Sequence, residues 1–365
     1  MKNILIFSNP FGKGPAGKAI SIAKYISEHS NCSKVYICGS NEIKSIIGSL
    51  CNFIDVNERD EADILRVIKS LGGSKYIISS QNRFAINVGL SLGIPTAFFD
   101  GLAWFWNIIP SDHFLADIIF WPNYPKISKK IPVEHRKKIK IVHGIVDPIL
   151  SSAIKGNRDD TRLIYIGGCK NPLTDVPINY LDLCSSVVEF ALLNGIKLEL
   201  ATDDSSVEYL KKNTIVSNIV RKYKHEEFMV KLTNINRFIT NGGQTATLEA
   251  YSVGTPTSFF LPINLSQYSL IQKLNLFNKQ RYLDWAKYVL IPTDILNYKE
   301  KDAILFFDRM SLKILSDKSQ FSILCNDFIK NLEENNYEEE RSFLKELGTN
   351  GSEDIFTILK KEWGV

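Results

Sequence analysis

Residues Arg237–Thr240 (RFIT) form a β-type run that ends in Asn241 and the pair Gly242-Gly243. The chain resumes as QTATLEAYSVG, with Pro256 after it. A second apolar run, Thr257–Leu261, follows, then Pro262 and Gln267. The order is strand, glycine turn, helix start, strand. Glycines at such a turn let the backbone come close to an anion, and the N–H groups of the first helical turn point at it. Glu249 lies further along the same helix, able to reach a hydroxyl of the same ligand.

The rest of the chain repeats this grammar. Each half opens with an apolar strand running into glycines: Ile4–Ser8 into Gly12, Gly14 and Gly17, and Arg162–Ile166 into Gly167 and Gly168. Further strands are expected at Val35–Cys38, Tyr76–Ser79, Thr96–Phe99, Ile118–Trp121 and Lys140–His143. In the second half they are expected at Leu198–Ala201, Arg237–Thr240, Thr257–Leu261 and Tyr288–Ile291. Helices such as Gly17–Ser30 and Asp60–Leu71 lie between. Strands alternating with helices predict an α/β chain with parallel sheets wound on both faces. The polar, turn-rich segment Asp147–Asp160 reads as a linker. The expected domains are 1–150, 151–345 and a charged terminal helix over 346–365 that packs back on either half. The halves are alike in architecture, with no sequence repeat of fixed period. Two doubly wound domains facing one cleft would turn the carboxyl ends of their strands, and all three glycine turns, toward it.

Composition narrows the class. The 365 residues are 44% hydrophobic and 23% charged, enough for a sizeable core, and a net charge of +4 makes no case for nucleic acid. Six cysteines (Cys32, Cys38, Cys51, Cys169, Cys184, Cys325) fall in no zinc-ligand spacing, so free thiols, a reducing compartment and no metal are expected. The opening KNILIFSNP has no signal-peptide pattern, and no apolar run is long enough to span a bilayer. The expected location is the cytoplasm.

Gly243–Gly254 followed by Pro256 resembles the donor-binding segment of the GT-B glycosyltransferases. The likeness is strongest to the UDP-glycosyltransferases and to the lipid-linked N-acetylglucosaminyltransferase of peptidoglycan synthesis. It is good over about Lys222–Gln272, weaker elsewhere in the second half and only architectural in the first. The resemblance implies a GT-B fold of two Rossmann-like domains. It implies that Gly242, Gly243, Gln244 and Thr245 hold the diphosphate of a nucleotide sugar, with Gly168 lining the phosphate side. Glu249 would then bind the ribose and Gln267 the donor sugar. Main chain matching Tyr223–His225 would lie beside the base. Retaining members often carry two glutamates eight positions apart. Here the positions eight from Glu249 are Asn241 and Thr257, which points to an inverting reaction. The UDP-glycosyltransferases place a histidine just after the first strand, whereas this chain reads NPFGKGPAGKA there.

An inverting transfer needs a base near the acceptor hydroxyl and a way to stabilise the departing diphosphate. Helix-start N–H groups serve the second need without a metal or other cofactor. Asp100, at the end of the strand Thr96–Phe99, is the first choice for the base, against the alternative that it merely caps a turn. His113 and His143 are the fallbacks. The Gly12, Gly14, Gly17 pattern is a formal GxGxxG, but no acidic residue ends the second strand, so a cleft glycine loop is preferred to an NAD site. Lys13 and Lys18 read as solvated or as phosphate neighbours. Trp104, Phe105, Trp106, Phe114 and Trp121 read as core or as an acceptor-pocket wall. The basic run Lys126–Lys140 reads as a solvated face or as a peripheral contact with an anionic membrane. The expected function is therefore inverting, metal-independent transfer from a UDP- or dTDP-sugar to a small-molecule or lipid-linked acceptor. A nucleotide-sugar hydrolase or epimerase, a non-catalytic nucleotide-sugar-binding subunit and a Rossmann oxidoreductase are the competing readings.

Overall fold

A computed structural model describes residues 2–9, 11, 14–30, 33–44, 47, 52–147, 158–212, 215–275, 282–333 and 338–365. The chain divides into two compact units. One is Met1–Ile149 with Lys224–Glu226 and Ser342–Val365; the other is Leu150–Tyr223 with Glu227–Arg341.

The first unit holds seven strands: β1 (Lys2–Ser8), β2 (Ser33–Gly39), β3 (Asn52–Asp55), β4 (Ser74–Ser80), β5 (Thr96–Phe99), β6 (Ile118–Pro122) and β7 (Ile139–Val142). They pair in the order β3-β2-β1-β4-β5-β6-β7, all parallel. Side chains of a strand alternate between faces. In β1, Ile4 and Ile6 therefore join one apolar cluster with the helix Gly14–His29, while Leu5 and Phe7 join another under the helices Glu61–Ser70 and Arg83–Ser91. Helices on both faces make the unit doubly wound. Order reverses between β1 and β4, which lie side by side with Ser8 opposite Ser80. That is the switch point where open α/β sheets bind ligands, at the carboxyl ends of the strands.

The terminal helix, Gly351–Trp363, belongs to the first unit. Its Ile355, Phe356 and Leu359 are buried in the same cluster as Ala19, Ile22 and Ile26. Each such side chain is worth about 1.5–3 kcal/mol of burial. Gly351 is required at the close approach: a Cβ there would lie 2.3 Å from the His143 carbonyl oxygen.

The second unit repeats the arrangement with β8 (Asp159–Ile166), β9 (Leu198–Thr202), β10 (Val220–Arg221), β11 (Ile235–Thr240) and β12 (Thr257–Phe259), ordered β10-β9-β8-β11-β12 and again all parallel. Its switch point lies between β8 and β11, with Tyr165 opposite Thr240. Trp285 anchors one side of this unit. It is fully buried, donates its indole N–H to the Pro262 carbonyl at 2.8 Å and stacks on Phe307.

Three expectations are corrected here. Tyr288–Ile291 is not a strand. Asp284 accepts the Ala286 N–H and caps a short helix, Trp285–Tyr288, after which Leu290 is 86% exposed and Pro292 follows. The helix expected from Gly17 begins at Gly14, and β12 stops at Phe259 rather than Leu261. The edge strands β3 and β10 were not expected. Cys38, Cys169, Cys184 and Cys325 are buried free thiols, whereas Cys32 and Cys51 lie outside the described residues, as does most of the expected linker. Among the described residues no helix is long and apolar enough to cross a membrane.

Candidate functional site

In the second unit the site is built at the switch point. Asn241, just past β11, reaches across to Gly167, just past β8. Its Nδ2 donates to the Gly167 carbonyl at 2.7 Å, and its Oδ1 accepts the Gly167 N–H at 3.3 Å. Gln267 completes the clamp, with Nε2 donating to the same carbonyl at 2.9 Å and Oε1 accepting the Ile263 N–H at 3.0 Å. Both amides are buried. They fix the two carboxyl-end turns against each other, because a buried peptide group must find a partner. Among the described residues, Gln267 is thus committed chiefly to the scaffold, with one amide N–H left over.

The three glycines of this clamp are there for different reasons. Gly168 (φ +82°) and Gly242 (φ +87°) occupy the left-handed region. A Cβ on Gly168 would press on Asn264 Nδ2 at 2.9 Å, and one on Gly242 on the Ile271 side chain at 2.9 Å. Gly243 has neither constraint. Its φ is −62°, and among the described residues a Cβ would meet nothing within 4 Å. It precedes the helix Gln244–Ser252, whose start has no side-chain cap. The Gly243 carbonyl accepts both the Thr247 N–H at 3.0 Å and the Thr247 hydroxyl at 2.8 Å, which holds the first turn in place. Gln244 and Thr245 are half-buried at that turn, and Glu249 is buried on the next. Burial pushes the nearby Tyr165 phenol well above its ordinary range, and the Asp203 and Glu249 carboxylates add to the shift. A helix start at the switch point with a buried carboxylate on the same helix is the arrangement that binding an anion and a neighbouring hydroxyl would need.

The helix that carries Gln267 starts at Leu265, whose N–H donates to Glu300 at 3.3 Å. Burial raises the Glu300 carboxyl to about 7, against the opposing effect of that N–H. A raised carboxyl favours the protonated folded state. The folded protein then loses stability as pH rises from the unfolded value near 4.5 through about 7. Glu300→Gln is expected to raise the unfolding temperature at pH 8 by a few degrees and to have little effect at pH 4. Melting curves at the two pH values check this; an equal shift at both would refute the assignment.

In the first unit, Asp100 follows β5 and is fully buried. Its Oδ1 accepts the Leu102 N–H at 3.0 Å, an Asx turn, and its Oδ2 accepts His113 Nδ1 at 2.8 Å. The imidazole lies beside Phe98 and Trp106, with its side chain 16% exposed. Nε2 has no partner among the described residues. The turn-cap reading of Asp100 matches this Asx turn. The carboxylate caps the turn and orients a histidine through Nδ1. Lys130 donates to the carbonyls of Trp104 and Trp106 at 2.9 and 2.7 Å. Desolvation lowers its pKa, with the Asp100 charge opposing.

The remaining candidates lie elsewhere. His143 bonds to Asp354 of the terminal helix at 2.8 Å through Nδ1 and through its backbone N–H, a structural tie. Gly12 and Lys13 lie outside the described residues; Gly14 opens the first helix and Gly17 is buried in it. Lys18 is buried, with its ammonium 5.6 Å from the Phe99 ring centre. Tyr223 donates its hydroxyl to Glu199. Among the described residues no group of three or more His, Cys, Asp or Glu side chains is placed to hold a metal. Sequence reasoning missed Asn241 as a clamp. Its position at the end of β11 was the available signal.

No protein-family model and no curated protein sequence matches the chain. Solved structures do. UGT2 of Phytolacca americana, solved with UDP-2-fluoro-glucose and pterostilbene, superposes with a TM-score of 0.56 at 13% identity over 100% of both chains. Os79 of O. sativa, solved with UDP, gives 0.56 at 10% identity over 99% of this chain and 100% of that one. The UDP-GlcNAc 2-epimerase of Neisseria meningitidis, bound to UDP-GlcNAc, gives 0.54 at 13% identity over 99% and 100%. The chain has the GT-B fold, with two Rossmann-like α/β units, along its whole length.

Proposed function

We propose that the protein is an inverting, metal-independent glycosyltransferase that takes a sugar from a UDP or dTDP donor. The observation that carries this reading is the helix start behind Gly243, at the switch point of the second sheet, with Glu249 buried on the same helix. The UDP and UDP-sugars bound in the fold neighbours support the ligand class. N–H groups at Gln244 and Thr245 would hold the diphosphate and stabilise its charge as it leaves. Gly168 would line its other side. Glu249 would accept the ribose hydroxyls, and the spare N–H of Gln267 would reach the sugar.

His113, rather than Asp100, would take the proton from the acceptor hydroxyl as that oxygen attacks the anomeric carbon. Asp100 holds Nδ1–H and stabilises the imidazolium that forms. Glu249→Gln keeps the volume and removes the charge. UDP affinity is expected to fall by about 10- to 100-fold, the value of a hydrogen bond to a charged acceptor. Titration calorimetry checks it, and an unchanged affinity would remove Glu249 from the site. A nucleotide-sugar epimerase or hydrolase is the second reading, favoured by the epimerase among the fold neighbours. Turnover of a UDP-sugar with no acceptor present would select it.

A further inference from the structure

We infer that the first unit carries a docking surface for anionic phospholipid bilayers, built from exposed residues on two segments, the proposed base His113 not being one of them. One is the loop after Trp106, where Ile108 is 88% and Leu115 43% exposed. The other is Lys126–Lys138, where Val133 is 76% exposed.

The two segments are fastened together. Lys130 donates to the Trp104 and Trp106 carbonyls, the His135 ring stacks on Phe114 at 4.1 Å, and Lys138 donates to the Phe114 carbonyl at 3.4 Å. The apolar residues and the cations therefore stand on segments held against each other. Lys126, Lys129, Arg136 and Lys137 are exposed, and none has an ion-pair partner among the described residues. Of the acidic residues in these segments, Asp112 is paired with Arg83 and Asp117 with Thr96, which leaves Glu134 as the one exposed carboxylate without a described partner.

Charge and apolarity together decide the occupant. Unpaired cations alone would suit any polyanion, nucleic acid included. An isoleucine and a valine held out in water beside them gain nothing from a phosphate backbone. They do gain from the headgroup–acyl boundary of a bilayer, where an apolar tip is buried and flanking Lys and Arg meet anionic headgroups. The inference stands on this surface alone and does not need the glycosyltransferase reading.

Cosedimentation of the full chain with vesicles tests it. The protein is expected to bind vesicles of equimolar phosphatidylcholine and phosphatidylserine, and to stay in solution with phosphatidylcholine alone. Lys129→Glu with Lys137→Glu should weaken partitioning at least about tenfold. Ile108→Asp should weaken it about tenfold as well, with an unchanged melting temperature because the side chain packs on little. Brominated lipids should quench the tryptophan fluorescence of the bound wild type. Failure to bind the mixed vesicles overturns the inference, as does binding that survives both variants. Loss of binding in the charge variant alone, with single-stranded RNA bound instead, would assign the surface to polyanions and equally overturn it.

Discussion

Gly243→Asp is expected to make the protein more stable and unable to hold a nucleoside diphosphate. Position 243 is the cap of the helix Gln244–Ser252, with an ordinary φ of −62° and, among the described residues beyond its chain neighbours, no atom within 4 Å of where a Cβ would stand. An aspartate there caps the helix and complements its dipole, for a gain of about 0.5–1 kcal/mol. The melting temperature should rise by about 1–4 °C. The same carboxylate occupies the space where the diphosphate would sit and repels it. Like charges so placed cost several kcal/mol, so UDP affinity should fall at least about 100-fold.

Gly242→Ala is the control. It needs φ +87° and meets Ile271 at 2.9 Å and the Gln267 carbonyl at 3.1 Å, so it should cost about 1–3 kcal/mol of stability. Opposite signs at adjacent glycines separate a residue kept for the ligand from one kept for the turn. A stable Gly243→Asp protein with wild-type UDP affinity would sink the diphosphate assignment.

The second large effect is on turnover. His113→Gln should lower kcat by about 10²–10⁴-fold, the range of general-base catalysis, and leave UDP binding within about twofold. Asp100→Asn should also lower kcat, because an amide no longer holds Nδ1–H against a negative charge. The nitrogen chemical shifts of His113 should change with it, reporting loss of the tautomer that the 2.8 Å contact imposes. Release of UDP from UDP-sugars, followed in both variants, checks this. A kcat within threefold of wild type in His113→Gln would exclude His113 as the base.

Much of this was legible in the sequence. Apolar and β-branched runs placed most strands, and Thr96–Phe99 lies where its pattern indicated. The Asn241-Gly242-Gly243 turn opened a helix, as the glycine pair and the following helix formers implied. Strand order was not legible. Nothing in residues 160–240 says that β8 and β11 are neighbours, so the Asn241–Gly167 clamp and the tethering bond of Gln267 were invisible. The run Tyr288–Ile291 looked like a strand because β-branched and apolar residues cluster there, but the Asp284 cap took its first residue into a helix. Edge strand β3 has only four residues, Asn52–Asp55, and both its ends are exposed polar residues. The Asp100–His113 pair spans thirteen positions of irregular loop, where no periodicity brings side chains together. Its two members could be chosen from their residue types, but their contact could not.

The central claim is that the second unit holds a nucleoside diphosphate at the start of the helix Gln244–Ser252. Titration calorimetry of the full-length protein with UDP, dTDP, ADP and NAD tests it most directly. Saturable one-to-one binding of UDP or dTDP, with ADP and NAD at least about tenfold weaker, is the predicted result. No binding of any nucleoside diphosphate, or preferential binding of NAD, would contradict it.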